Sequence, residues 1–334
     1  MQTCMRSLLT LPLTLLALLA CTFAFTKIAP IDPVLAVVGD RASEAARIQA
    51  RKDLGLDRPW PIQFLWHVER TVTGDLGLST STGHAVLDDL AQVFPATIEL
   101  ALAATLIGLV LGLPLGIIGA YWRGSWPDHL ARLIALLGHS VPVFWLGLMA
   151  LYLFYALLGW APGPGRLNFY LEGLVPTVSG FILLDSLLAG RLDVAGDALA
   201  HLVLPALTLG LFSTALFART SRALMLDALG QDFILTARAK GLSEWNVVLG
   251  HALKSCAAPM VTTLALALGS LLEGSVLTET VFSWPGLGAY MTGALMAADM
   301  AAILGGTLLI GLVVSLLNLG ADFLQRKLDP RTAS

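Results

Sequence analysis

The chain has 334 residues, of which 56% are hydrophobic and only 13% charged, and its mean hydropathy is +0.78. A soluble domain carries about twice that share of charge, so water is not this chain's main solvent. The net charge of −3, from 20 basic and 23 acidic residues, excludes a polybasic nucleic-acid binder, and three scattered cysteines (Cys4, Cys21, Cys256) exclude a disulfide framework or a zinc site.

A helix that crosses a bilayer needs about 20 mostly apolar residues. Six stretches qualify: Leu8–Ile28, Ala96–Tyr121, Leu130–Leu158, Leu202–Ala218, Pro259–Val281 and Ala301–Phe323. The third is long enough to tilt and the fourth is short. LVPTVSGFILL at Leu174–Leu184 is too short and is closed by Asp185, so Glu172–Ala200 reads as an external segment at the interface. The first stretch also has features of a lipoprotein signal, with Arg6 and then LLAC at Leu18–Cys21. Apolar residues continue past that cut and Leu19 is bulky beside it, which favours an uncleaved span.

Charge orients these spans. Six spans put both termini on one side, and the short segments there carry Arg6, Arg123, Arg132, Arg219, Arg222, Arg238, Lys240, Lys254, Arg326, Lys327 and Arg331. The opposite loops carry Arg166 and Arg191, and Phe282–Met300 carries no basic residue. The positive-inside rule therefore places both termini in the cytoplasm. The segment Ala29–Gln92, with six basic and nine acidic residues, is too long for that rule and reads as a small external region. The resulting organisation is a first span at 1–28, an external segment at 29–95, a five-span core at 96–325 with a cytoplasmic loop at 219–258, and a tail at 326–334.

Gly108, Gly112 and Gly116 recur every four residues and so share one helix face, where small residues allow close helix approach. Pro114 favours a kink among them, and Pro142 and Pro205 are expected to interrupt the third and fourth spans. This pattern suits bendable helices around a pathway and equally suits ordinary membrane packing. Glu99, Glu273 and Asp322 lie near span ends, where snorkelling or packing accounts for them. No acid sits mid-span opposite a base, which counts against a stand-alone ion-coupled secondary transporter.

Catalytic signatures are missing. The chain has no GxxxxGK[ST], HExxH or GxSxG, and its six histidines are dispersed. A membrane enzyme would need a clustered nucleophile, base or metal site, and none is visible.

The cytoplasmic stretch Arg219–Ala258 is patterned. An amphipathic helix fits Asp232–Lys240, ending at Gly241, which can take a left-handed cap. Ser243 suits an N-cap for a second helix, Glu244–Leu253, with Trp245, Val248 and Leu249 on one face. Two helices around a glycine make a rigid knob joined directly to two spans. The bland alternative is an amphipathic hairpin on the membrane surface.

At this point the residues resemble a known family. TARAKGLSEWNVVLGHALKSCAAPMVT is similar to the cytoplasmic EAA loop of ATP-binding-cassette importer permeases, in their peptide-permease branch. LGLDRPW (Leu54–Trp60), GDLGLS (Gly74–Ser79), FPATIEL (Phe94–Leu100), SVPVFWLGL (Ser140–Leu148), LTETVFSWPGLGAYM (Leu277–Met291) and LDPR (Leu328–Arg331) match it in order. The insert GFILLDSLLAGRLDVAGDALAHLVLPALTL resembles dipeptide-type members and their antimicrobial-peptide relatives.

The resemblance implies an all-α integral membrane protein with the type I ABC importer permease fold, a transport subunit in a bacterial inner membrane and not an enzyme. It would pair with a second permease, receive small peptides from a periplasmic binding protein, and be driven by two separate ATPase subunits. ATP would be used by those subunits and no cofactor held by this chain. Nickel, glutathione or antimicrobial peptides are the alternative cargoes within the class.

On this mapping Ala237 allows close packing in an ATPase groove and Gly241 allows the turn. Asp232, Thr236, Arg238, Lys240 and Ser243 complete the coupling loop. Leu235 stands at the family's motif glutamate, Asn246-Val247 replaces a commonly basic stretch, and Gly250 and Cys256 also depart from the pattern. Glu279, Trp284, Pro285 and Gly286 would form part of the outer mouth, with Trp284 as an interfacial anchor beside a tight turn.

Overall fold

The structure is a computed structural model that describes residues 2–28, 34, 38–39, 42–53 and 55–328, with side chains described from residue 12 onward. Leu54 of LGLDRPW, Asp329–Arg331 of LDPR and the end of the expected tail lie outside the described residues. The described residues are helical almost throughout, with one isolated antiparallel bridge, Leu78 to Ala85. They fall into two compact units, Met1–Phe94 with Tyr290–Leu316, and Pro95–Ala289 with Leu317–Ser334.

In the first unit, α1 (Gln2–Ile28) is followed by α2 (Glu44–Asp53) and α3 (Trp60–Val72). Phe23 of α1 meets the Phe64 ring of α3 edge-on at 5.4 Å. The Arg58 guanidinium stacks 3.8 Å over Trp66. Gly55 holds φ +65° with a Trp66 ring carbon 2.7 Å from where a Cβ would sit, so conformation and space both call for glycine there. The loop from Gly74 is pinned by Asp299, which accepts the Ser79 hydroxyl at 2.6 Å and the Ser81 N–H at 3.0 Å. These donors outweigh the burial that raises the Asp299 pKa, and hold it below its ordinary value.

The second unit is built on two long helices, α4 (Val86–Tyr121), which belongs to it from Pro95 onward, and α8 (Leu192–Leu229). Gly108 lies against Ser213, Gly112 against Thr214 and Phe217, and Gly116 against Ser221. A Cβ on Gly112 would stand 2.6 Å from the Thr214 carbonyl oxygen, so the glycine face is a helix crossing where backbones touch. Gly138 of α5 (Trp126–Ser140) makes a second such approach, since a Cβ there would stand 2.7 Å from the Leu211 carbonyl oxygen.

The prolines behave differently from one another. α5 and the following α6 (Val143–Ala150), prolonged by a π-helical Leu151–Leu157, meet at 97°. The Pro142 ring bars helical backbone at Val141, which is extended at φ −88° and ψ 129°. The single tilted span expected over Leu130–Leu158 is therefore a bent pair. Pro205, expected to interrupt, does not. α8 runs unbroken through it, and α4 through Pro114. α8 is the most enclosed of the long apolar helices among the described residues, and surrounding protein tolerates one lost hydrogen bond. The helix that holds the fourth span is accordingly long, and it begins at Leu192, inside the stretch expected to lie outside.

That segment holds a 3-10 turn at Phe169–Leu171 and a short helix, α7 (Ile182–Leu188). After α8 come α9 (Asp232–Ala239), α10 (Ala257–Gly274), α11 (Val276–Val281), α12 (Leu287–Met296) and α13 (Met300–Leu328). Among the described residues α4, α8, α10 and α13 are long and apolar enough to cross a membrane, and the bent pair is a fifth such segment if its two halves are taken as one span.

Candidate functional site

The knob is a compact helical corner. α9 starts at Asp232, whose carbonyl accepts the Thr236 hydroxyl at 3.0 Å. Gly241 sits at φ +76° with nothing within 4 Å of a Cβ position, so conformation alone asks for glycine. The Lys240 and Gly241 N–H groups close on the carbonyls of Thr236 and Arg238 at 3.1 and 2.9 Å. The Ser243 hydroxyl accepts the Asn246 N–H at 3.4 Å. Arg238 grips Glu244 with two bonds of 3.0 and 3.1 Å across the turn, which ties the two helices together.

Beneath the turn lies an apolar core of Ala120, Met225, Ile234, Ala237, Val247, Val248, Ala252 and Cys256. Ala237 is only 5% exposed. Its small side chain packs inside the knob, against the apolar core. The second helix has also shifted register. Asn246–Ala252 is wound as a π-helix, whose wider turns place Val247, Val248 and Ala252 inward. Trp245 is consequently 71% exposed and does not share a face with Val248. Phe233, Leu235, Leu242, Trp245 and Leu249 are the exposed apolar side chains of the knob.

A second cluster gathers around Glu279, which is fully buried. Its carboxylate accepts the hydroxyls of Thr97 at 2.7 Å and Ser275 at 3.0 Å and the N–H of Ala289 at 3.0 Å. Thr97 in turn accepts the Leu287 N–H at 2.7 Å. A Cβ on Gly286 would lie 2.5 Å from Glu279 Oε2, so the turn passes directly over the carboxylate. Pro285 is exposed. Trp284 is 0% exposed and donates its indole N–H to the Ala96 carbonyl at 2.9 Å. It is a core residue and not the interfacial anchor expected, because Ser283 turns the chain inward at φ +49°.

Beside it, Arg166 pairs with buried Glu99 at 2.5 Å, donates to the Gly180 carbonyl at 2.9 Å, and lies 5.7 Å from the Trp284 ring centroid. The pairing of Glu99 and Arg166 was not foreseen from sequence. FPATIEL marked Thr97 and Glu99, but nothing local to Arg166 points at them. Among the described residues no three His, Cys, Asp or Glu side chains gather as metal ligands.

A helical membrane protein with glycine-packed spans, a proline-broken span and a glycine-turned knob between two of them has the architecture of an ABC importer permease. A solved structure of the methionine ABC transporter MetNI has the same fold, with a TM-score of 0.50 at 16% identity, covering 70% of this chain and 93% of that one. The family model for the binding-protein-dependent transport system inner membrane component matches residues 112–334, and that for its N-terminal part matches residues 1–101. The chain belongs to this family. It is 47% identical to the probable D,D-dipeptide transport system permease DdpB of Escherichia coli K12, over 93% of this chain and 91% of that one. It is 41% identical to the di/tripeptide transport system permease DppB of Pseudomonas aeruginosa, over 93% and 92% respectively.

Proposed function

We propose that this chain is one of two permease subunits lining a pathway for short peptides across a bacterial inner membrane. In this reading α1, α4, the bent α5 and α6 pair, α8, α10 with α11, and α13 make six crossings, with both termini in the cytoplasm. Residues 1–28 make the first crossing, 29–95 an external region, 96–325 the core and 326–334 a tail. A binding protein presents the peptide outside. Two separate ATPase subunits seat inside against the knob at 219–258, and they, not this chain, use ATP. Closure of the ATPases shifts the knob and the spans joined to it.

The observation that carries the peptide assignment is the 47% identity to a dipeptide permease running through 93% of the chain. The knob supports the coupling assignment on separate grounds. A surface of Leu235, Trp245 and Leu249 held by a packed core and an ion pair is shaped to receive force from a rigid partner. Reconstitution into liposomes with the second permease, the ATPases and the binding protein tests it. Uptake of labelled D-alanyl-D-alanine or L-alanyl-L-alanine should need ATP and all the subunits. ATP-driven uptake by the lone chain would overturn the reading.

A further inference from the structure

The elbow between α4 and α5 contains a buried ion cluster that no coupling-loop motif includes. Asp128, in the first turn of α5, is 0% exposed. Arg222 of α8 donates to both its oxygens, Nε to Oδ1 at 2.6 Å and Nη2 to Oδ2 at 3.0 Å. The Gly124 N–H adds a bond at 2.9 Å, and Arg132, one turn along α5, closes a second ion pair. The α4 end joins in at Gly119, where a Cβ would lie 3.4 Å from Arg222 Cδ and 3.5 Å from Asp128 Oδ1.

Position gives this cluster its meaning. Arg222 lies on α8 one turn before Met225, and Met225 is packed into the knob core with Ile234, Ala237 and Val248. Ala120, next to Gly119, belongs to the same core. Asp128 thus ties α5, the helix that leads to the Pro142 break, to the root of the knob. A bidentate pair between two rigid helices fixes both distance and orientation, as an apolar contact would not.

We propose that Asp128 is a positioning residue for transport, the clamp through which movement of the knob reaches α5 and the broken span beyond it. The inference rests on the coupling reading of the knob. The test is hydrogen exchange on the assembled transporter in nanodiscs, with and without Mg-ATP, followed in residues 122–135 and 232–255. In the unaltered complex, nucleotide should change exchange in both segments, by about five-fold or more in 122–135. Asp128→Asn should leave the response of 232–255 in place and abolish that of 122–135. A purely architectural Asp128 would instead raise exchange with and without nucleotide and keep the difference, which overturns the proposal.

Absence of any nucleotide response at 232–255 in the unaltered complex would overturn the coupling reading itself, a distinguishable result. Arg222→Lys keeps the charge but not the fork, and serves should Asp128→Asn fail to assemble. It should weaken the 122–135 response, and an unchanged response would count against the clamp.

Discussion

Thr97 and Glu279 stand 182 residues apart in the chain and share a hydrogen bond of 2.7 Å. The threonine hydroxyl donates this bond to the Glu279 carboxyl group and accepts the Leu287 N–H at 2.7 Å, so one side chain joins the start of a span to both sides of the WPGLG turn. Thr97→Val keeps the shape and removes both bonds. A buried group left short of a partner costs about 1–3 kcal/mol, so the detergent-solubilised protein should melt several degrees lower, whereas Thr97→Ser should be close to unaltered. Gly286→Ala should do comparable damage by pressing a methyl onto Glu279, since overpacking costs about 1–3 kcal/mol. Unchanged melting in both variants would remove this network from any account of the fold.

The knob allows two classes of substitution to be separated. Leu235→Asp and Trp245→Asp change exposed side chains, so membrane insertion and melting should hold while capture of the ATPase subunits falls about ten-fold or more. Ala237→Arg forces a charge into the apolar core between Met225 and Val248, so it should lower the melting temperature and the amount in the membrane as well. Co-purification of the ATPase, read beside melting curves, distinguishes them. Normal ATPase capture by Trp245→Asp would show that the exposed face is not the docking face.

Asp185 gives a prediction in pH. Burial raises its pKa, but the Ser179 hydroxyl at 2.7 Å and the N–H groups of Val178, Ser179 and Gly180 at 3.0 to 3.2 Å outweigh that and hold it below 3.8. A depressed carboxyl contributes stability in full above its unfolded value, and that contribution is lost as pH falls through the folded one. Protection of residues 178–188 against hydrogen exchange, corrected for the intrinsic rate, should be flat from about pH 5 to 7 and decline below about pH 4. Asp185→Asn should start weaker and lose the dependence. Equal protection of the unaltered loop at pH 3 and pH 6 would contradict the assignment.

What could be read beforehand follows the range of each signal. The knob's turn was legible because Gly241 and Ser243 act on their own neighbours, and the helix at 232–239 because its pattern is local. The glycine face at 108, 112 and 116 was legible as a face, while its partners Ser213, Thr214 and Ser221 were not, since helix pairing is a tertiary choice. Trp245 departs from the ordinary helical period because the stretch that follows it is wound as a π-helix. A tryptophan near a span end, such as Trp284, suits an interface and a core equally, and only the Ala96 carbonyl decides between them. Pro142 and Pro205 look alike in sequence. They differ because Val141 is extended at a helix boundary while Pro205 lies inside the most enclosed of the long apolar helices.

Glycines in the long helices should respond to alanine with opposite signs. At Gly112 the obstacle to a Cβ is the Thr214 carbonyl at 2.6 Å, which is backbone and cannot rotate away. Gly112→Ala must therefore push α4 from α8, at a cost of about 1–3 kcal/mol. Gly196 lies in the first turns of α8 with nothing within 4 Å of a Cβ, so alanine adds helix propensity without a clash and should stabilise by about 0.5–1 kcal/mol. Gly116→Ala should follow Gly112, although its first obstacle is the Ser221 hydroxyl, which already bonds the Phe217 carbonyl at 2.6 Å. Gly116→Ala combined with Ser221→Ala should recover only part of the loss, because the Ala218 carbonyl still stands 2.6 Å from the added methyl. Melting curves of the four variants in one detergent provide the comparison, and full recovery by the double variant would show that side chains and not backbones set the spacing of this crossing.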